Sequence, residues 1–140
     1  KLNENLEPFL IAISTPDIDA TLTWYQEHLG AKLVGTKVGN SGNERALLEK
    51  NGFILEIGEF VDDVAFETLQ VPEGIWRAKV QGISKLSFLI EDIQSSYEKM
   101  KASEITFDFD LTERKSMTGD RYFMVQDLTG TSLQFFEVDN

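Results

Sequence analysis

Leu10-Ile11-Ala12-Ile13-Ser14-Thr15-Pro16-Asp17-Ile18-Asp19-Ala20 is an apolar alternating run that ends at an aspartate and passes straight into a helical pattern. Lys85-Leu86-Ser87-Phe88-Leu89-Ile90-Glu91-Asp92-Ile93-Gln94-Ser95 follows the same plan. The repeat closes again downstream, where Asn51-Gly52-Phe53-Ile54-Leu55-Glu56 lines up with Thr129-Gly130-Thr131-Ser132-Leu133-Gln134. An internal repeat of this kind fixes the architecture before any single residue is interpreted. It predicts two copies of one strand–helix–strands module, with a shared concave site where they meet.

Working outward from the first copy, alternation predicts a strand over 7–14. Asp17 is a natural N-cap, because its carboxylate accepts from the free amides of a first helical turn. Ile18, Leu22, Tyr25 and Leu29 recur at helical spacing, so an amphipathic helix is expected over about 18–28, ended by Gly30 in the left-handed conformation. Strands follow at 31–38, 43–49 and 52–59. The Asn51-Gly52 pair between the last two is the strongest hairpin signal in the chain. The second copy predicts a strand over 83–90, N-cap Asp92, a helix over 93–102, and strands near 104–110, 119–126 and 131–137, with Thr118-Gly119-Asp120 and Leu128-Thr129-Gly130 as turns. Residues 61–81, with Trp76 and Arg77, break the rhythm and are expected to connect a first module of about 7–60 to a second of about 82–138. The whole is expected to be a single domain.

Composition narrows the function. The 140 residues carry a net charge of −11, which opposes nucleic acid and would draw in a cationic ligand. No run of about eighteen apolar residues is present, so no membrane span is expected. Neither does the N-terminal stretch have the apolar core of a signal peptide, and a cytoplasmic location is the default expectation. With no cysteine, disulfides, thiolate metal sites and thiol nucleophiles are all excluded. His28 is the single histidine and stands near a predicted helix end, so no Ser-His-Asp set can be built.

The phrase from Ile11 through Asp17-Ile18-Asp19-Ala20 to Trp24-Tyr25-Gln26-Glu27-His28-Leu29-Gly30, with the later Asp127-Leu128-Thr129-Gly130-Thr131, resembles the vicinal oxygen chelate superfamily. That superfamily includes glyoxalase I, extradiol dioxygenases, fosfomycin-resistance enzymes and bleomycin-resistance proteins. The resemblance implies an α+β fold of two βαβββ modules, forming an eight-stranded, mostly antiparallel concave sheet with helices on its outer face. It also implies a homodimer, since relatives often build their clefts across a two-fold axis.

In the superfamily's metalloenzymes, a divalent cation is held at four positions that correspond here to Leu10, Glu56, Lys85 and Gln134. Leu10 has no lone pair, and Lys85 is a cation with donors only. A catalytic site needs about three protein ligands and these positions offer at most two, so no metal and no other cofactor is expected. Glu56 and Lys85 are expected to form an ion pair in that place, either filling it or acting on a ligand. Strand alternation turns Ser14, Gln134 and Phe136 to the same cleft, and Arg45, Arg121 and Tyr122 stand near its rim. Trp76 of the connecting arm would close over it or staple the arm to the core.

Three functions stay open on these grounds. One is a metal-independent binding protein that holds a small molecule in the cleft. Another is a metal-free enzyme using Glu56 and Lys85 on a carbonyl substrate. A lyase or dioxygenase with a shifted metal site is the third.

Overall fold

The computed structural model describes residues 9–39, 42–59, 85–112 and 121–137. The chain divides into two compact units, residues 1–63 and 64–140. The connecting arm with Trp76 and Arg77 lies outside the described residues, as does the turn 118–120.

The first module consists of β1 (Leu10–Thr15), α1 (Ile18–Leu29), β2 (Lys32–Val38), β3 (Glu44–Lys50) and β4 (Phe53–Glu59). Its four strands form one sheet in the order β1-β4-β3-β2, with β1 parallel to β4 and the other pairs antiparallel. The parallel pair exists because α1 carries the chain back across one face of the sheet. Asp17 caps α1, accepting from the Ala20 amide at 2.9 Å, and Glu59 on β4 accepts from the Ile18 amide at 3.0 Å. Two carboxylates therefore sit at the positive end of this helix. Gly30 ends it at φ 63°, and Asn51 and Gly52, both at positive φ, make the tight turn between β3 and β4.

Alternation along β1 sends Ile13 and Thr15 into the core and leaves Ala12 and Ser14 exposed. The buried face of α1 is Ile18, Thr21, Trp24 and Tyr25, whereas Leu22 and Leu29, expected on that face, are only half-buried. The stripe is displaced toward Thr21 because the Thr21 hydroxyl is bonded to the Thr15 hydroxyl at 2.7 Å and to the Asp17 carbonyl at 2.9 Å, so a polar side chain is buried without loss. Ala46, Leu48, Leu55 and Ile57 complete this core.

The second module repeats the order with β5 (Leu86–Ile90), α2 (Ile93–Ala102), β6 (Phe107–Thr112), β7 (Tyr122–Gln126) and β8 (Ser132–Glu137). Its sheet runs β5-β8-β7-β6, again with one parallel pair, β5 and β8. The eight expected strands are thus all present, as two four-stranded hydrogen-bonded sheets. β6 starts three residues later than the alternation predicts. The cause is a local turn after α2, in which the Ser103 amide donates to the Met100 carbonyl and the Ile105 amide to the Ser103 carbonyl.

The core of this module is aromatic. Phe123 and Phe135 stack with centroids 5.0 Å apart, and Phe88 stacks on Phe135 at 5.6 Å. Between β7 and β8, Asp127 accepts from the Thr129 amide and hydroxyl and from the Thr131 amide, all within 2.9 Å, which holds the loop shut around Gly130 at φ 76°. No helix among the described residues is long and apolar enough to cross a membrane.

Candidate functional site

Each sheet has one face covered by its helix and one face free of it. Register shows which side chains share the helix-free face, since paired residues of neighbouring strands point the same way.

In the first module, Ala12 pairs with Glu56, Ser14 with Gly58, Glu56 with Leu47, and Gly58 with Arg45. The face therefore presents Leu10, Ala12 and Ser14 on β1, Ile54, Glu56 and Gly58 on β4, and Arg45, Leu47 and Glu49 on β3. Gly58 has no side chain opposite Arg45, and the guanidinium crosses diagonally to Glu56, Nη1 donating to Oε1 at 2.9 Å. Glu56, for which Lys85 is the partner expected from the sequence, thus already has a cation bound to it within its own module. Arg45, expected only at the rim, is part of the same arrangement.

In the second module, Ser87 pairs with Gln134 and Leu89 with Phe136 across β5 and β8. Met124 and Tyr122 on β7 pair with Gln134 and Phe136 in turn. Two rows cross the helix-free face, Ser87–Gln134–Met124 and Leu89–Phe136–Tyr122. Gln134, Met124 and Phe136 are buried, while Ser87 and Leu89 are exposed. Ser87 Oγ reaches Gln134 Oε1 at 3.5 Å, a long contact. The Phe136 and Tyr122 rings lie 5.6 Å apart. Lys85 precedes β5, is exposed, and continues the alternation of Ser87 and Leu89.

One row further along, Asp108 on β6 accepts from Gln126 Nε2 and Ser132 Oγ, both at 2.6 Å. No sequence motif marks Asp108 or Gln126, because only the pairing of β6 with β7 brings them together.

Arg121 stands at the end of this module instead of on its helix-free face. Its Nη2 donates to Gln94 in the first turn of α2 at 2.8 Å, and Nη1 lies 3.6 Å from Glu137. These contacts tie β7 to the helix start and to β8. His28 closes the last turn of α1, its ring 4.9 Å from that of Trp24, as expected of a helix-end histidine.

The chemistry of the donor set does not fit a divalent cation. The first module offers Leu10, which has no donor atom, and a Glu56 carboxylate already bonded to a guanidinium. The second offers an ammonium and one carboxamide. Among the described residues, no group of three or more His, Cys, Asp or Glu side chains is arranged to hold a metal ion.

The glyoxalase/bleomycin resistance protein/dioxygenase superfamily matches this sequence over residues 9–135, nearly the whole of both modules. The chain belongs to that superfamily. Solved members of similar fold include the glyoxalase family protein from Enterococcus faecalis, at a TM-score of 0.74 and 20% identity, covering 92% of this chain and 95% of that one. A glyoxylase/bleomycin resistance protein/dioxygenase domain from Frankia sp. EAN1pec superimposes at 0.73 and 15% identity, over 97% and 100% of the two chains. The fosfomycin resistance protein FosX from Listeria monocytogenes, in complex with Mn(II) and sulfate, superimposes at 0.66 and 11% identity, over 99% and 95%. No curated protein matches the sequence. At these identities the likeness to solved structures is one of fold.

Proposed function

We propose that this superfamily member is a metal-independent small-molecule binding protein that takes its ligand on the helix-free sheet faces. The observation that carries the reading is the Arg45–Glu56 bond. At the one position of the first module where the superfamily's metalloenzymes offer a carboxylate, this chain has a cation bound to it. Leu10 and Lys85 argue the same way, since an alkyl group and an ammonium cannot coordinate. Binding is favoured over acid–base chemistry because the single histidine, His28, stands at the end of α1, so the helix-free faces carry no imidazole to serve as a general base.

The test is elemental analysis of protein purified without chelator, paired with thermal-shift titrations in Zn, Ni, Mn and Fe(II) salts. The expected result is no stoichiometric metal and no concentration-dependent rise in melting temperature, since an ion that binds only the native state must raise it. One tightly bound metal per chain would overturn the reading and put a lyase or dioxygenase in its place.

A further inference from the structure

Asn51-Gly52 is the one Asn-Gly pair in the chain, and both residues are exposed. The pairing of Lys50 with Phe53 closes the turn around them, with φ at 51° and 81°. The pair that makes this tight turn is also a reactive combination. Glycine has no side chain to hinder approach, so its backbone nitrogen can attack the side-chain amide of the asparagine before it.

The state of that nitrogen is specific to this fold. The Gly52 amide donates to Glu49 Oε1 at 2.7 Å. Attack requires loss of this proton, which would set a negative nitrogen against a carboxylate. The peptide would also give up a charge-assisted hydrogen bond. Glu49 pairs on both sides, with Lys32 of β2 and Ile54 of β4, so the sheet delivers its carboxylate to the turn.

We propose that Asn51 is a self-modification site of this chain and that Glu49 sets how slowly it reacts. In the reaction, the Gly52 nitrogen loses its proton to solvent hydroxide and bonds to Cγ of Asn51. The Cγ–Nδ2 bond breaks, and the amide nitrogen takes a proton from water and leaves as ammonia. Water then opens the resulting cyclic imide at either carbonyl. The products are an aspartate or an isoaspartate at position 51, so the sum is water consumed and ammonia released. Either product adds a negative charge close to Glu49. Isoaspartate also carries the main chain through its β-carbon, which adds an atom to the turn and disturbs the Lys50–Phe53 pairing. The inference is independent of what the protein binds.

The test follows position 51 of the full chain by peptide mapping and mass spectrometry, over weeks of warm incubation at mildly alkaline pH. The parent should react more slowly folded than unfolded in urea. Folded Glu49→Ala should react about fivefold faster than the folded parent, the effect of one lost hydrogen bond on a barrier. Glu49→Gln keeps an acceptor without the charge and should fall between them. In urea all three should react alike. Asp17→Ala weakens the same module away from the turn. It should leave the rate within about twofold of the parent, because the turn opens locally.

Glu49→Ala reacting no faster than the folded parent would overturn the inference. So would equal rates for the folded and unfolded parent, or an asparagine that persists in every sample. Asp17→Ala accelerating the reaction as much as Glu49→Ala would do so too, since global unfolding would then set the rate.

Discussion

The two modules place their bulk on opposite layers. In the first, the helix carries the large rings, Trp24 and Tyr25, and the sheet beneath presents Ala46 and Ile57. In the second, the residues equivalent by the repeat are Lys99 and Met100 on the helix and Phe123 and Phe135 on the sheet. Each interlayer space is filled, once from above and once from below. The helix-free faces diverge as well. Glu56 with Arg45 in the first corresponds to Gln134 with Tyr122 in the second, and Gly58 corresponds to Phe136. The backbone plan thus constrains total volume and polarity and leaves their distribution free, which is how cores accept extensive exchange when volume is kept.

Exchanging one residue between modules tests this hardest. Phe123→Ala puts the first module's residue at the second module's position, where Met100 stands in place of Tyr25 and Tyr97 of α2 would lose the ring it meets at 5.7 Å. It should cost about 3–5 kcal/mol by urea denaturation, the range for emptying an aromatic core site. A loss under about 1 kcal/mol would show that the helix closes the gap and that the two packings are interchangeable.

Helix ends come next. Gly30→Ala forces a Cβ into the left-handed region at φ 63°, at a cost of about 1–2 kcal/mol. Among the described residues, such a Cβ would crowd the tip of the Lys50 side chain, at 3.2 Å. Ser103→Gly at the matching end of α2, where the backbone is extended, should change stability by a few tenths of a kcal/mol at most. Equal effects would mean that the glycine's conformation is not what ends α1.

The N-caps should separate more finely. Asp92→Ala is expected to cost about 1 kcal/mol. Asp17→Ala should cost measurably less, because Glu59 still accepts from the Ile18 amide. Reversed costs would remove Glu59 from the cap.

Two surface pairs give the smallest effects. Glu56→Gln, which copies the second module's amide, should lose only about 0.2–1 kcal/mol, since Arg45 is half exposed. A double-mutant cycle with Arg45→Met isolates that term.

On α2, Lys101 and Tyr97 both donate to Asp110 of β6. The hydrogen bond from Lys101, then that from Tyr97, holds the Asp110 carboxyl below the usual carboxylate range. Its hydrogen bond with Asp110 raises the Lys101 ammonium in turn. A lowered acid contributes stability that is present above its unfolded value and is lost as pH falls through the folded one. Asp110→Asn should therefore lower stability slightly at neutral pH, with the difference from the parent vanishing at acid pH, so that the acid limb of the stability–pH curve is flatter. An unaltered acid limb would show that the contact is not kept in solution.

Much of the fold could be read from the chain because its strongest signals are local. The Asp17 and Asp92 caps, Gly30, and the Asn51-Gly52 turn each act within a few residues, and the repeat supplied the rest. The buried stripe of α1 was less legible, because Thr21 is buried through a bond to Thr15 that hydropathy does not register. The site was read least completely. Alternation puts Ser14, Glu56, Gln134 and Phe136 on the helix-free faces, as the register does, but a diagonal contact such as Arg45–Glu56 depends on strand register and on the missing side chain of Gly58. Asp108 with Gln126 and Ser132 needed the pairing of three strands.

The irregularity of β2 has a further consequence. This strand is the outer edge of its sheet, and its register on β3 slips between Leu33 and Gly35. Leu33, Val34 and Val38 are exposed apolar residues on it, at 45%, 56% and 62%. A straight edge so composed would be a template on which foreign strands could assemble. The slip interrupts the row of free amides and carbonyls, and Lys32 and Lys37 bring like charges against any second copy, so the sheet is protected from growth at the strand where it is most sticky.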